Sequence, residues 1–237
     1  MYMLFFNKIP RNSNYWLVEG PRHAILWFII SVFISGYFYI DPPYLICNNF
    51  LSQLGQIYIE GKVNWVSALF FNSSLFYVGV VIALFYYNFT SYFNNESPKA
   101  HIVIIRVLGI ISGILFSGIA IFPTDIHFGL HVFFADSAFK VLLFLSLMHT
   151  ILIYKTKLFS YHYMIGYLIF SLFLAAYIYI LIYGGDPSEG MPDKMYLAYH
   201  VVPQKLIVLS FMLATLQQTV GIKNVLMNNA DHSRKEK

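Results

Sequence analysis

Six long apolar runs organise the chain, at residues 24–40, 65–88, 102–122, 130–154, 163–183 and 197–220. A helix crosses the hydrocarbon core with about 20 apolar residues, over a range of about 17–25, and each run meets that length; the first is the shortest. Hydrocarbon offers no partner to a backbone N–H or C=O, so each run is expected to be helical throughout. None alternates apolar with polar residues, which excludes the strands of a membrane barrel. The pattern predicts an all-α integral membrane protein, a bundle of six transmembrane helices over 24–222. A segment at 1–23 precedes it and a polar tail at 223–237 follows, with 228–237 expected to be disordered.

Composition removes the soluble alternative. Of the 237 residues, 58% are hydrophobic and 11% charged, against about 45–50% and about 25% in soluble domains. The mean hydropathy is +0.63. A water-soluble fold of this size could not hide that much apolar surface. Aromatics reach 19%, which suits lipid-facing helices with rings at the interfaces. The one cysteine, Cys47, permits no internal disulfide and reads as a small filler near a helix end.

Charge supplies an orientation. Eleven Lys and Arg residues fall on one side of the six-run map, among them Lys8, Arg11, Arg22, Lys99, Lys155 and Lys157. The other side carries only Lys62 and Lys194, while Lys140 and Lys205 lie within runs. Basic loops stay in the cytoplasm, so both termini are expected there. Asp41, Glu60, Asp125, Asp186, Glu189 and Asp193 then occupy the opposite face. The pI near 9.0 reflects this topology and gives no ground for a nucleic-acid partner. The first run lacks a small-residue cleavage site after Tyr37-Phe38-Tyr39-Ile40 and is expected to be a retained signal anchor, most simply in a bacterial inner (plasma) membrane. Asn72-Ser73-Ser74, Asn88-Phe89-Thr90 and Asn95-Glu96-Ser97 match the glycosylation pattern, but the first lies in a helix and the others on the cytoplasmic side, so none is expected to be modified.

A charge at mid-bilayer costs about 2.5–3.5 kcal/mol on insertion scales, which makes intramembrane ionisable groups the informative ones. Asp136 and Lys140 are four apart, on one face of the fourth helix. His127 and His131 share an offset face. The sixth run adds His200, Pro203, Gln204 and Lys205; the 41–64 connection adds Asn48, Asn49, Ser52 and Gln53; the second run adds Asn72. All of these map to the non-cytoplasmic half, whereas His101, His149 and His162 map to the cytoplasmic half. Two arrangements remain open. One is a polar pocket facing the non-cytoplasmic side, lined by helices two, four and six and capped by the 41–64 connection. The other is a polar seam in which Asp136, with Lys140 and Lys205, pins helix four to helix six. In the third run Gly109, Gly113 and Ser117 form a stripe of small residues, expected to serve packing inside the chain.

Three stretches carry a resemblance. Asn49-Phe50-Leu51-Ser52-Gln53-Leu54-Gly55 precedes a second helix containing Phe71-Asn72-Ser73-Ser74-Leu75 and Gly79. The third helix ends Gly118-Ile119-Ala120-Ile121-Phe122-Pro123-Thr124-Asp125, followed by His131. This order resembles the bacterial and archaeal six-helix membrane family of domain of unknown function 998, over about residues 25–220. More distantly it is similar to the Frag/DRAM/Sfk group of eukaryotic six-helix proteins. Gln204-Lys205 departs from the acidic-basic pair expected at that place. The resemblance implies the helix count and no activity; the eukaryotic group implies lipid handling by analogy of fold.

Function is read in four classes. The first is a binding protein for a membrane lipid headgroup or small polar ligand, using Asp136, Lys140, His200, Lys205, Asn72 and Ser52, with no cofactor. The alternative is a metal-dependent intramembrane hydrolase acting on a lipid, with zinc on His127, His131, His200 and Asp125. A haem protein would need facing pairs such as His131 with His200, or His149 or His162 with His101, and is not expected. Proton-linked transport through Asp136 and Lys140 is the fourth. No Walker loop, dinucleotide fingerprint, nucleophile elbow or zinc-protease helix is present.

Overall fold

The computed structural model describes residues 14–40, 42–93, 98–156, 159–184 and 194–235. The Asn95-Glu96-Ser97 pattern, the acids Asp41, Asp186, Glu189 and Asp193, and the basic residues Lys8, Arg11 and Lys157 lie outside the described residues. The helices are α1 Gly20–Tyr37, α2 Trp65–Phe89, α3 Lys99–Ile121, α4 Phe128–Thr156, α5 His162–Tyr183 and α6 Lys194–Lys235. Six helical segments are long and apolar enough to cross a membrane. The protein is an all-α, multi-pass membrane protein built as a six-helix bundle.

Each predicted run is found, and the differences lie at the two ends. Ahead of α1, Tyr15–Glu19 form a π-helical turn in which the Gly20 N–H reaches Tyr15 O. Pro21, in the first turn of α1, has no N–H to give Leu17 O, so the backbone widens there. Arg22 therefore sits inside a helix, where its Nε donates to Thr219 Oγ1 at 3.1 Å. At the other end α6 continues through Lys235, into the tail expected to be disordered. Neither Pro nor Gly interrupts 222–235, so nothing local stops the helix.

Consecutive helices are neighbours, and α6 returns to meet α1 along a sparser contact, closing a ring. The tightest crossing is α2 on α3. A Cβ on Gly79 would meet Gly113 O at 2.6 Å, a Cβ on Gly113 would meet Ala83 Cβ at 2.7 Å, and Tyr86 covers Gly109. The stripe of small residues thus serves packing within the chain, where close backbone approach replaces the hydrophobic drive that lipid cannot supply. Phe33, Phe144 and Leu172 are exposed on the outside of the ring, as lipid-facing positions should be.

The connection from α1 to α2 is a folded cap. It holds a 3-10 turn at Leu51–Gly55 and a two-stranded hairpin, β1 Tyr58–Ile59 with β2 Lys62–Val63. Glu60 and Gly61 turn the hairpin with φ of 49° and 78°, the positive values that a two-residue type I′ turn requires. Burial, reinforced for Tyr39 by the Glu60 carboxylate and for Tyr44 by Tyr39, pushes both hydroxyls above their ordinary range. They stay neutral, and their rings meet edge to face at 5.5 Å.

Candidate functional site

The polar residues on the cap side hold the cap's backbone. Lys205 Nζ donates to Asn49 O at 2.7 Å, and the Leu51 N–H donates to Gln204 Oε1 at 3.0 Å. Asn72 Nδ2 donates to Gly55 O at 2.9 Å, and Ser67 Oγ to Leu54 O at 2.9 Å. Asp125, in the α3–α4 turn, accepts from the Ile57 and Tyr58 N–H groups at 3.0 and 2.7 Å on one oxygen. Within the cap, Asn49 Oδ1 accepts from the Leu45 N–H and Gln53 Oε1 from the Phe50 N–H. Ser52 sits half-buried in the 3-10 turn. Irregular backbone at the membrane surface leaves peptide groups that must be satisfied, and these side chains satisfy them.

Asp136 and Lys140 do pair, at 2.6 Å, but within α4. Lys205 is turned to Asn49 O instead, so the two lysines have different partners. The Asp136 and Lys140 side chains are 48% and 51% exposed, which places the pair on the outside of the bundle.

The histidines are also separated. His127 is exposed beside the Phe122 ring. Buried His131 places Nδ1 2.8 Å from Phe122 O and ties down the α3–α4 turn. Buried His200 has its Nε2 3.3 Å from Gly184 O, at the end of α5. With Asp125 turned to the hairpin, the four candidate zinc ligands serve four local contacts. Among the described residues no group of three His, Cys, Asp or Glu side chains gathers where a metal could be held.

The interior of the ring is different. All six helices line a cavity of about 110 Å³, walled by residues such as Phe28, Leu75, Val78, Phe116, Leu142 and Val208. Leu75 and Tyr86 of α2, three turns apart along the helix, both border it. It lies in the bore of the ring.

No family model, curated protein or solved structure matches the chain.

At the terminal-side end of the cavity the wall includes hydroxyl-bearing side chains, though its surface stays apolar. Tyr86 of α2, Tyr167 of α5 and Thr215 of α6 border the cavity there. Behind them, His149 of α4 and Gln218 of α6 are fully buried. The His149 ring is sandwiched between Phe89, at 4.7 Å and 5° from parallel, and Tyr167, at 4.1 Å. Its Nε2 lies 3.4 Å from Gln218 Oε1. Sequence reasoning singled out His149 of this group and passed over the rest. The signal available was Thr215, Gln218 and Thr219, at helical spacing in the terminal-side half of an apolar run.

Proposed function

We propose that the protein takes a short segment of a membrane lipid's hydrocarbon chain into the cavity lined by its six helices. The cavity carries this reading. Left empty, 110 Å³ would cost about 2.6 kcal/mol at ~24 cal/mol per Å³. Helices in lipid associate through packing rather than through hydrophobic drive, so a persistent gap at the centre of the bundle wants an occupant. Its lining is apolar, and its volume suits a few methylenes of one alkyl chain rather than a whole one.

The lipid partner expected from the sequence is retained, and its place moves from the outer polar residues to the space under the cap. A headgroup bound at Lys205, Asn72 or Asp125 would have to displace backbone contacts of the cap. The hydrolase alternative needs His127, His131, His200 and Asp125 on one ion, and no contact between them supports it. The likeness to the domain of unknown function 998 family belongs to this proposal, resting on Phe122-Pro123-Thr124-Asp125 and His131.

The test is retention of lipid. Wild-type protein transferred to nanodiscs of a single synthetic lipid should keep about one chain-bearing molecule from its source membrane, measured by mass spectrometry after washing. Val208→Trp, which projects a ring into the bore, should lose most of that lipid while remaining folded. Equal retention by the variant, or none by the wild type, would sink the reading.

A further inference from the structure

Arg106 is a charge within a membrane-spanning helix that has no counter-charge. The midpoint of α3, Lys99–Ile121, is Ile110, so the Arg106 Cα lies about 6 Å from mid-helix at 1.5 Å per residue. Charges at such depth are expected to be paired. Arg22 reaches Glu19 at 3.5 Å, and Lys140 reaches Asp136 at 2.6 Å. Arg106 makes no ion pair among the described residues, and a guanidinium in a protein does not give up its proton.

What Arg106 touches is neutral. Its Nε donates to Thr90 Oγ1 at 2.8 Å, and its Cζ stands 5.5 Å from the centre of the Tyr87 ring. Thr90 is fully buried. Its own hydroxyl proton is directed to the carbonyls of Tyr86, at 2.9 Å, and Tyr87, at 3.2 Å, which leaves a lone pair for the arginine. These contacts hold the guanidinium in place and use one of its five N–H bonds. The four on its Nη atoms meet no acceptor among the described residues.

The surroundings are open to lipid. Arg106 is half-buried at the seam of α2 and α3, beside the exposed side chains of Tyr87, Val103 and Val107. Exposed Lys99 shares its face of α3, two turns nearer the helix end, about 10 Å away along the axis. It too makes no ion pair among the described residues. A long basic side chain in hydrocarbon extends toward the headgroups, where phosphate is the anion available. The guanidinium fork matches two phosphate oxygens at once.

We propose that Arg106, held by Thr90 and Tyr87 and joined by Lys99, binds the phosphate of an anionic phospholipid in the leaflet opposite the cap. A lipid or free phosphate could supply that group. The exposed apolar surface of Tyr87, Val103 and Val107 beside the charge favours the lipid. The site lies on the outside of the bundle, apart from the cavity, and does not rest on the chain-binding reading.

Full-length protein in nanodiscs of phosphatidylcholine with about one-tenth phosphatidylglycerol provides the test. Bound lipids are counted by native mass spectrometry on release from the disc. One charge-assisted contact predicts phosphatidylglycerol enriched at least about tenfold over its share of the bilayer. Arg106→Gln should bring this below about threefold. Arg106→Lys, which keeps a charge in the bilayer and loses the fork, should fall between them. Lys223→Gln, at an exposed basic position on α6, should stay within about twofold of the wild type. No enrichment in the wild type overturns the proposal and leaves Arg106 to water. Enrichment unchanged in Arg106→Gln or in Arg106→Lys also overturns it, by assigning the effect to other basic residues. Loss of enrichment on adding millimolar inorganic phosphate at constant ionic strength overturns the lipid as the source and assigns the site to free phosphate. Each of these outcomes leaves the cavity reading standing, because that reading is tested by lipid retention and Val208→Trp.

Discussion

Asp136 and Lys140 show how far a single pair can be read. Helix α4 runs from Phe128 to Thr156, so its midpoint is Leu142. Asp136 then lies about 9 Å and Lys140 about 3 Å from mid-helix, inside a hydrocarbon layer about 30 Å thick. Their half-exposed side chains meet lipid there, and each is the neutralising partner of the other. Asp136→Asn should leave an ammonium alone in hydrocarbon and lower folded yield and thermal midpoint, against an insertion cost of about 2.5–3.5 kcal/mol. Asp136→Asn/Lys140→Met should restore both; a double variant no better than the single one would mean the pair is solvated some other way. The four-residue spacing made this contact legible in the sequence. The partner of Lys205 was not legible, because it is a backbone carbonyl 156 positions away and no side-chain pattern announces it.

Among elements, the α2–α3 crossing was readable, and the cap was readable in its place but not in its internal structure. Gly109, Gly113 and Ser117 recur every four residues, which puts them on one helical face, and that face meets Gly79 and Tyr86. Gly79→Leu would drive a side chain into Gly113 O and Ser117. Overpacking of this kind costs about 1–3 kcal/mol, and here the obstacle is backbone, so the upper part of that range is expected. Thermal unfolding in detergent should show it, against Gly36→Leu as control, since a Cβ at Gly36 meets nothing. A matching loss in the control would remove the crossing as the cause. The fold of the cap escaped notice because its strands are two residues long and its order comes from Asn72, Gln204, Lys205 and Asp125, which belong to other segments. Those residues were singled out as costly polar groups in a membrane protein, and the structure gives each of them the same kind of partner, a peptide group of the cap.

For the whole molecule, hydropathy marks what enters the membrane but not what faces inward, because lipid and core are equally apolar. The bore therefore had little signature in the runs themselves; the inward marks were scattered polar residues such as Ser146, His149, Ser171 and Gln218, all buried. The two faces of the bundle are distinguishable by charge, however, and the chain supplies its own reporter. Cys47 is the single cysteine, and it is exposed on the cap. The basic residues Lys99 and Lys155 sit at the opposite ends of the helices, and the tendency of basic loops to stay in the cytoplasm predicts a cap on the outside. A membrane-impermeant maleimide should label Cys47 in intact cells. In a Cys47→Ser background, cysteine placed at exposed Ser160, between α4 and α5, should react only after the membrane is opened. Labelling of the Ser160 position alone in intact cells would invert the molecule and place the cap in the cytoplasm.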